Sequence, residues 1–287
     1  MWADRPRRSA LYVPASNPRA LEKARALPAD VVIVDLEDGV APPAKDAARG
    51  LAVAALAADG WRPERVLRVN GAGTPWHDDD LSAAASASID AVCLPKVESA
   101  EGVRAAAEAL TRAGAPASLA LWVMIETPRG VLAAREIAEA SPRIACLLAG
   151  TSDLVKELRA VHTAGRAEVL ASLSLVLLAA RANGLAALDG VFLGLGDAAG
   201  FEAACRQGRE LGFDGKTVIH PSQLEPANRI FAPTAEQLES ARRIVAAHAQ
   251  ALAEGRGVTV VDGRLVEALH VADAQRVLRL AELIERG

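Results

Sequence analysis

Five carboxylates, two cations, an asparagine and a histidine lie at or near the ends of short apolar runs in this chain: Asp35, Glu37, Asp38, Arg68, Asn70, Lys96, Glu126, Asp153 and His220. Glu126 and Asp153 belong to successive runs. Two such carboxylates, with no paired His or Cys, offer hard oxygen ligands, which suit a divalent cation such as Mg2+ that keeps positions open for water and substrate. A shared-proton pair or separate helix-capping roles are the alternatives. Glu37 or Asp38, in the acidic string Asp35-Leu36-Glu37-Asp38, would hold the waters of such a cation or pair with Arg68 or Lys96. Arg68 brings a planar fork of donors, suited to a substrate carboxylate, to a developing enolate oxygen, or to a buried ion pair with that string. Lys96 would be the Schiff-base nucleophile of a metal-free aldolase, but carboxylates around it hold an ammonium protonated. His220, fixed by Pro221, reads as a hydrogen-bonded structural residue. No Ser-His-Asp order, G-x-S-x-G elbow, P-loop or HExxH motif occurs.

These residues need a scaffold that gathers the ends of many strands. Eight strand-like runs occur, at 9–15, 30–38, 65–70, 91–96, 119–127, 145–153, 187–197 and 216–222. The polar ends Asp38, Arg68, Lys96, Glu126 and Asp153 follow one another at 30, 28, 30 and 27 residues, about the length of one strand-helix unit. Ala-rich stretches with helical spacing, such as 98–114, lie between them and stop at Gly. Strands alternating with helices imply a parallel sheet, and eight units imply an α/β fold of the (β/α)8 TIM barrel type, with the site at the C-terminal ends of the strands. An open doubly wound sheet would carry a Gly-rich loop after its first strand, where this chain reads VPASNPRA. The barrel is expected over 1–230. Over 231–287 a helix, a hairpin turning at Asp262-Gly263 and a last helix read as a lid or subunit-contact extension.

The composition sets outer limits. With 287 residues, a formal charge of −4 and 3% aromatic residues, the chain can bury a large core but lacks the basic, aromatic surface of a nucleic-acid binder. Cys93, Cys146 and Cys205 are too scattered for a disulfide framework, and Cys93 and Cys146 read as core residues of a protein in a reducing cytoplasm. The N-terminal segment has charge without an apolar stretch, and the longest apolar run, 171–180, is too short for a membrane span.

Taken in order, RSALYVPASNPRALEKA, DVVIVDLEDGVAPPAKDAAR, RVNGAGTPWHDDDL, LPKVES, IETPRGVLAAREIA, AGTSDL, LAARANGLAALDG and LGFDGKTVIHPSQLEPANRIFAPT resemble the citrate lyase beta-subunit-like family of CoA-ester lyases, over about residues 8 to 235. The resemblance implies a Mg2+-dependent barrel, commonly trimeric or hexameric, that cleaves or forms a carbon–carbon bond between an acyl-CoA and a 2-oxo acid. It implies Glu126 and Asp153 as metal ligands, Arg68 on the reacting oxyanion, and Glu37 and Asp38 behind the metal waters. It also implies Arg19 and Lys23 on the CoA phosphates, and backbone groups of Gly150 and Thr151 on the oxo acid. Where lidded members carry an Asp base in a G-x-M-I-D-like motif, this chain has Gly263-Arg264-Leu265-Val266-Glu267, a carboxylate displaced by about 1 Å. AGTSDL also replaces a commoner phenylalanine-glycine version, leaving a smaller side chain beside the metal. The expected function is a stand-alone cytoplasmic lyase acting on a 3-hydroxyacyl-CoA such as malyl-, citramalyl- or citryl-CoA. A pyruvate-type aldolase on free 2-oxo acids, or a non-catalytic CoA-ester-binding or structural subunit, are the alternatives.

Overall fold

The structure, a computed structural model, describes residues 5–286; residues 1–4, the start of the segment considered for a leader, lie outside the described residues. Residues 7–231 form one compact unit, and residues 232–286 with 5 and 6 form another.

In the first unit, eight parallel strands close into a barrel in sequence order: β1 (Ser9–Pro14), β2 (Val31–Asp35), β3 (Glu64–Arg68), β4 (Ala91–Leu94), β5 (Ala120–Ile125), β6 (Ile144–Ala149), β7 (Ala186–Asp189) and β8 (Gly215–Val218). β8 returns to β1 through the Ser9–Lys216 register. The strands are rich in Val, Ile and Leu because both faces are covered, as parallel sheets require. Alternate residues fill the interior, where Trp122 shares one buried cluster with the small Ala10, Ala91 and Ala120. The other face packs beneath the helices.

Those helices are α1 (Pro18–Ala24), α2 (Lys45–Ala57), α3 (His77–Ser86), α4 (Ala100–Arg112), α5 (Pro128–Leu132), α6 (Ala134–Ala138), α7 (Thr151–Glu157), α8 (Leu170–Ala182), α9 (Ala198–Leu211) and α10 (Leu224–Phe231). Their starts are written locally: the side chains of Asn17, Ser99, Thr127 and Asp197 each accept a backbone N–H of the first turn. Gly212, at φ 110°, ends α9 in a conformation open to glycine.

The strands end earlier than the apolar runs. β7 stops at Asp189, and the Gly-rich stretch behind it is loop. Asp153 is not a strand end: β6 stops at Ala149, and Asp153 lies in the first turn of α7. Gly150 interrupts the strand and the short polar side chains after it favour a helix start, so a reading by apolar runs placed the carboxylate one element too early.

In the second unit α11 (Ala235–Ala253) begins with a Thr234–Gln237 capping box. β9 (Thr259–Val261) and β10 (Arg264–Val266) form an antiparallel hairpin, and α12 (Ala268–Arg286) follows. Asp262 and Gly263 both have positive φ, the pair of conformations a type I′ turn demands. Among the described residues no helix is long and apolar enough to cross a membrane.

Candidate active site

The C-terminal ends of the strands surround a cavity of about 310 Å³, lined among others by Tyr12, Asp35, Arg68, Met124, Glu126 and Asp153. Glu126 follows β5 and is 2% exposed. Its Oε1 accepts the Lys96 backbone N–H at 2.6 Å. That N–H points at the carboxylate because Lys96 turns left-handed, at φ 50°, after β4. Gly150 sits directly against the same side chain: a Cβ there would overlap Glu126, so the position needs glycine for space rather than for φ. Gly150 spends its own N–H on Ile125 O and its carbonyl on Leu154 N. Thr151 is buried, and it lines the cavity together with Gly150 and Asp153.

Arg68 is held on two sides. Its Nε and Nη2 donate to the two Asp35 oxygens at 2.7 Å each, and its Nη1 lies 2.8 Å from Glu37 Oε2. Asp35 is itself fixed by the backbone N–H groups of Glu37 and Gly39, so one buried carboxylate shapes the loop after β2 and aims the guanidinium. Lys96 Nζ pairs with Glu37 and lies 3.7 Å from Asp38, whose side chain is largely exposed. Arg68 is therefore a buried ion-pair member that also lines the cavity.

Electrostatics separate these groups. Burial, then the charges of Glu37 and Asp153, push the Glu126 carboxyl up to about 7 against the lowering effect of the Lys96 N–H. Burial likewise raises Glu37, although Arg68 and Lys96 oppose it. Burial works against the Lys96 ammonium, but Glu37 and Asp38 outweigh it and raise its pKa. A protonated lysine is no Schiff-base nucleophile. Asp35, Glu37 and Asp38 thus pair with Arg68 and Lys96, while Glu126 and Asp153 line the cavity beside them.

Other predicted residues lie elsewhere. Arg19 and Lys23 stand exposed on α1. Glu267 belongs to the second unit, just after β10, where its backbone N–H donates to His270 Nδ1 at 3.1 Å. His220 caps the turn before α10 and bonds Ser222, a structural role. Cys93 and Cys146 are buried in the barrel interior.

Two residues of the site escaped sequence reading. Lys45 is buried and donates to the carbonyls of Leu36 and Glu37 at 2.8 Å and to Asn70. It also lies over the Trp76 ring, and Asn70 in turn donates to Asp80. Lys45 therefore anchors the acidic loop, yet in sequence it is one more lysine at a helix start. Tyr12 sits mid-strand, where the pattern gives only a core position; its being the single tyrosine was the one available signal.

Comparison with known proteins agrees with this architecture. The profile of the HpcH/HpaI aldolase/citrate lyase family matches residues 8–221. A (3S)-malyl-CoA thioesterase of Cereibacter sphaeroides is 46% identical over 280 residues, covering 97% of this chain and 96% of the relative. Citrate lyase subunit beta of Escherichia coli is 36% identical over 285 residues, covering 97% and 94%. The structure of CitE from Mycobacterium tuberculosis in complex with magnesium, acetoacetate and coenzyme A aligns over 98% of this chain and 100% of that one, at TM-score 0.79 and 34% identity. This chain belongs to the HpcH/HpaI aldolase/citrate lyase family.

Proposed function

We propose that this protein is a Mg2+-dependent carbon–carbon lyase that cleaves, or forms, a 3-hydroxyacyl-CoA such as malyl-, citramalyl- or citryl-CoA, giving an acyl-CoA and a 2-oxo acid. The observation that carries the reading is the buried Glu126 carboxylate lining one cavity with Asp153 and Arg68, its proton affinity raised by burial and by the charges of Glu37 and Asp153.

The residues present fit Mg2+. Among the described residues no group of three or more His, Cys, Asp and Glu is arranged as a metal cage. Two carboxylates beside open cavity are what a hard cation uses when water and substrate oxygens complete its shell. Glu126 and Asp153 would hold it, and Glu37 and Asp38 would support its waters. Bound there, Mg2+ supplies positive charge to the oxygens of the 2-oxo acid.

Arg68, locked by Asp35 and Glu37, presents a fixed positive edge to the oxygen of the acyl half, without reorganising as charge develops. Lys96 stays an ammonium, positions Glu126 through its backbone N–H and contributes no nucleophile. Gly150 gives Glu126 room, and Thr151 adds its backbone to the oxo-acid side of the cavity. Arg19 and Lys23 meet the CoA phosphates, and the Glu267 carboxylate takes up the substrate hydroxyl proton in cleavage. In this reading 1–230 is the catalytic barrel, 231–287 a lid-like extension, and the enzyme a cytoplasmic homotrimer or homohexamer. Exposed Leu132 on α5 and Leu175 and Leu178 on α8 support association.

A second reading, hydrolysis of the thioester, is favoured by the name of the Cereibacter sphaeroides relative. A single assay separates the two. Purified protein is given malyl-, citramalyl- and citryl-CoA with Mg2+ or EDTA, following 2-oxo acid and free thiol independently. Oxo-acid release without free thiol, abolished by EDTA and by Glu126→Ala or Asp153→Ala, is the expected result. Thiol release without oxo acid means hydrolysis, and no turnover of any ester overturns the reading.

A further inference from the structure

Two donors in the cavity end on the same poor acceptor. The Tyr12 hydroxyl lies 3.7 Å from Met124 Sδ, and Arg68 Nη1 lies 3.9 Å from that sulfur. A thioether accepts weakly, so this contact leaves the Tyr12 hydroxyl, and the Arg68 N–H beside it, without a strong acceptor in a cavity that all three side chains line. The guanidinium carbon sits 4.7 Å from the centre of the Tyr12 ring, which ties phenol and guanidinium together. Asp35 takes Nε and Nη2, and Glu37 faces Nη1 from elsewhere. Nη1 also lies 4.0 Å from Asp38 Oδ2, so of its two N–H bonds the one toward Met124 Sδ is left to meet a substrate oxygen.

We infer that Tyr12 is a further catalytic residue: its hydroxyl and Arg68 Nη1 donate together to one substrate oxygen on which negative charge grows, the thioester carbonyl oxygen of the acyl half. This rests on the lyase reading above. No bond is made or broken at Tyr12; the phenol keeps its proton throughout. Burial raises its pKa well above the ordinary phenol value, against the lowering effect of Arg68, so it remains a donor at neutral pH. Met124, unbranched and flexible, yields its place to the oxygen at little expense. Two fixed donors stabilise growing charge without the reorganisation that water requires.

Tyr12→Phe keeps the ring over Arg68 and removes only the hydroxyl. The expected result is a kcat lowered about 10- to 100-fold, with KM for the ester little changed and melting temperature unchanged. Because Tyr12 is the chain's one tyrosine, a 13Cζ-tyrosine label reports it alone. Its resonance is expected to move when acetyl-CoA is added with Mg2+, and to stay still with glyoxylate and Mg2+. Wild-type kcat in the variant, or a lower melting temperature with kcat intact, overturns the inference. A reduced kcat with no shift on acetyl-CoA overturns the assignment to the thioester oxygen. If the wild type turns over none of the three esters, the lyase reading fails, and the acetyl-CoA titration alone decides whether Tyr12 is a ligand contact.

Discussion

Asp189 and Glu126 are both buried carboxylates following or ending barrel strands, 0% and 2% exposed, yet their surroundings drive them in opposite directions. Asp189 lies between β7, β8 and α9, where Lys216 Nζ at 2.9 Å and Arg166 Nη1 at 2.7 Å meet its two oxygens. Burial opposes its charge, but the two cations more than offset this and lower its pKa. Glu126 accepts a backbone N–H and, among the described residues, forms no ion pair with a side-chain cation, and the same burial raises it. One carboxylate completes a neutralised structural cluster. The other, in the reading proposed above, holds a place for a metal cation, which is how a site differs from a staple when both are buried and polar.

The largest expected effect breaks the first half of that comparison. Asp189→Asn leaves Lys216, fully buried, without its counter-charge, so urea unfolding should show a loss of about 3–5 kcal/mol. The pH sign follows from the lowered pKa. The stabilisation is present above the unfolded-state value of about 3.9 and is lost as pH falls through the folded one. The gap between wild type and variant should therefore be flat from neutral pH down to about 5 and close in stronger acid.

Glu126→Gln should do the reverse. A carboxyl raised to about 7 makes the ionised form a burden on the fold, of order 3 kcal/mol at alkaline pH. In EDTA the variant should be more stable than wild type at pH 8, and the difference should shrink as pH falls below about 7 and vanish only below about 4, where the carboxyl is neutral in the folded and the unfolded chain alike. Added Mg2+ should raise the melting temperature of wild type at pH 8 and leave the variant unmoved. A variant less stable than wild type at pH 8 would show that Glu126 already has its counter-charge.

What could be read without coordinates divides along the same line. The barrel was legible because its signal is local and repeated: apolar runs of strand length at nearly constant spacing, punctuated by Gly. Arg68 and Glu126 were legible because a charge at the end of such a run has one direction to face. Pairings across the barrel were not. Nothing in the spacing of Lys96 says that its backbone turns left-handed to bond Glu126, or that Gly150 is small for the sake of that side chain. Asp153 was found in type but misplaced in structure, since a helix start and a strand end look alike in a short polar string. Lys45 and Tyr12 were missed because burial of a lysine and orientation of a mid-strand phenol are tertiary facts.

The exposed cations test the other end of the scale. Arg19 and Lys23 lie on the surface of α1, where solvent screens charge and a contact with phosphate is worth only about 0.5–1 kcal/mol. Arg19→Ala and Lys23→Ala should each raise KM for a CoA ester by roughly 2- to 5-fold with kcat unchanged, a gap that narrows as ionic strength rises from 0.05 to 0.5 M. Stability should not respond, in contrast to Asp189→Asn, because removing an exposed charge strands no partner in the interior. A KM indifferent to both substitutions at low salt would move the CoA phosphates off α1 and leave the buried chemistry of Glu126 and Arg68 standing without that handle.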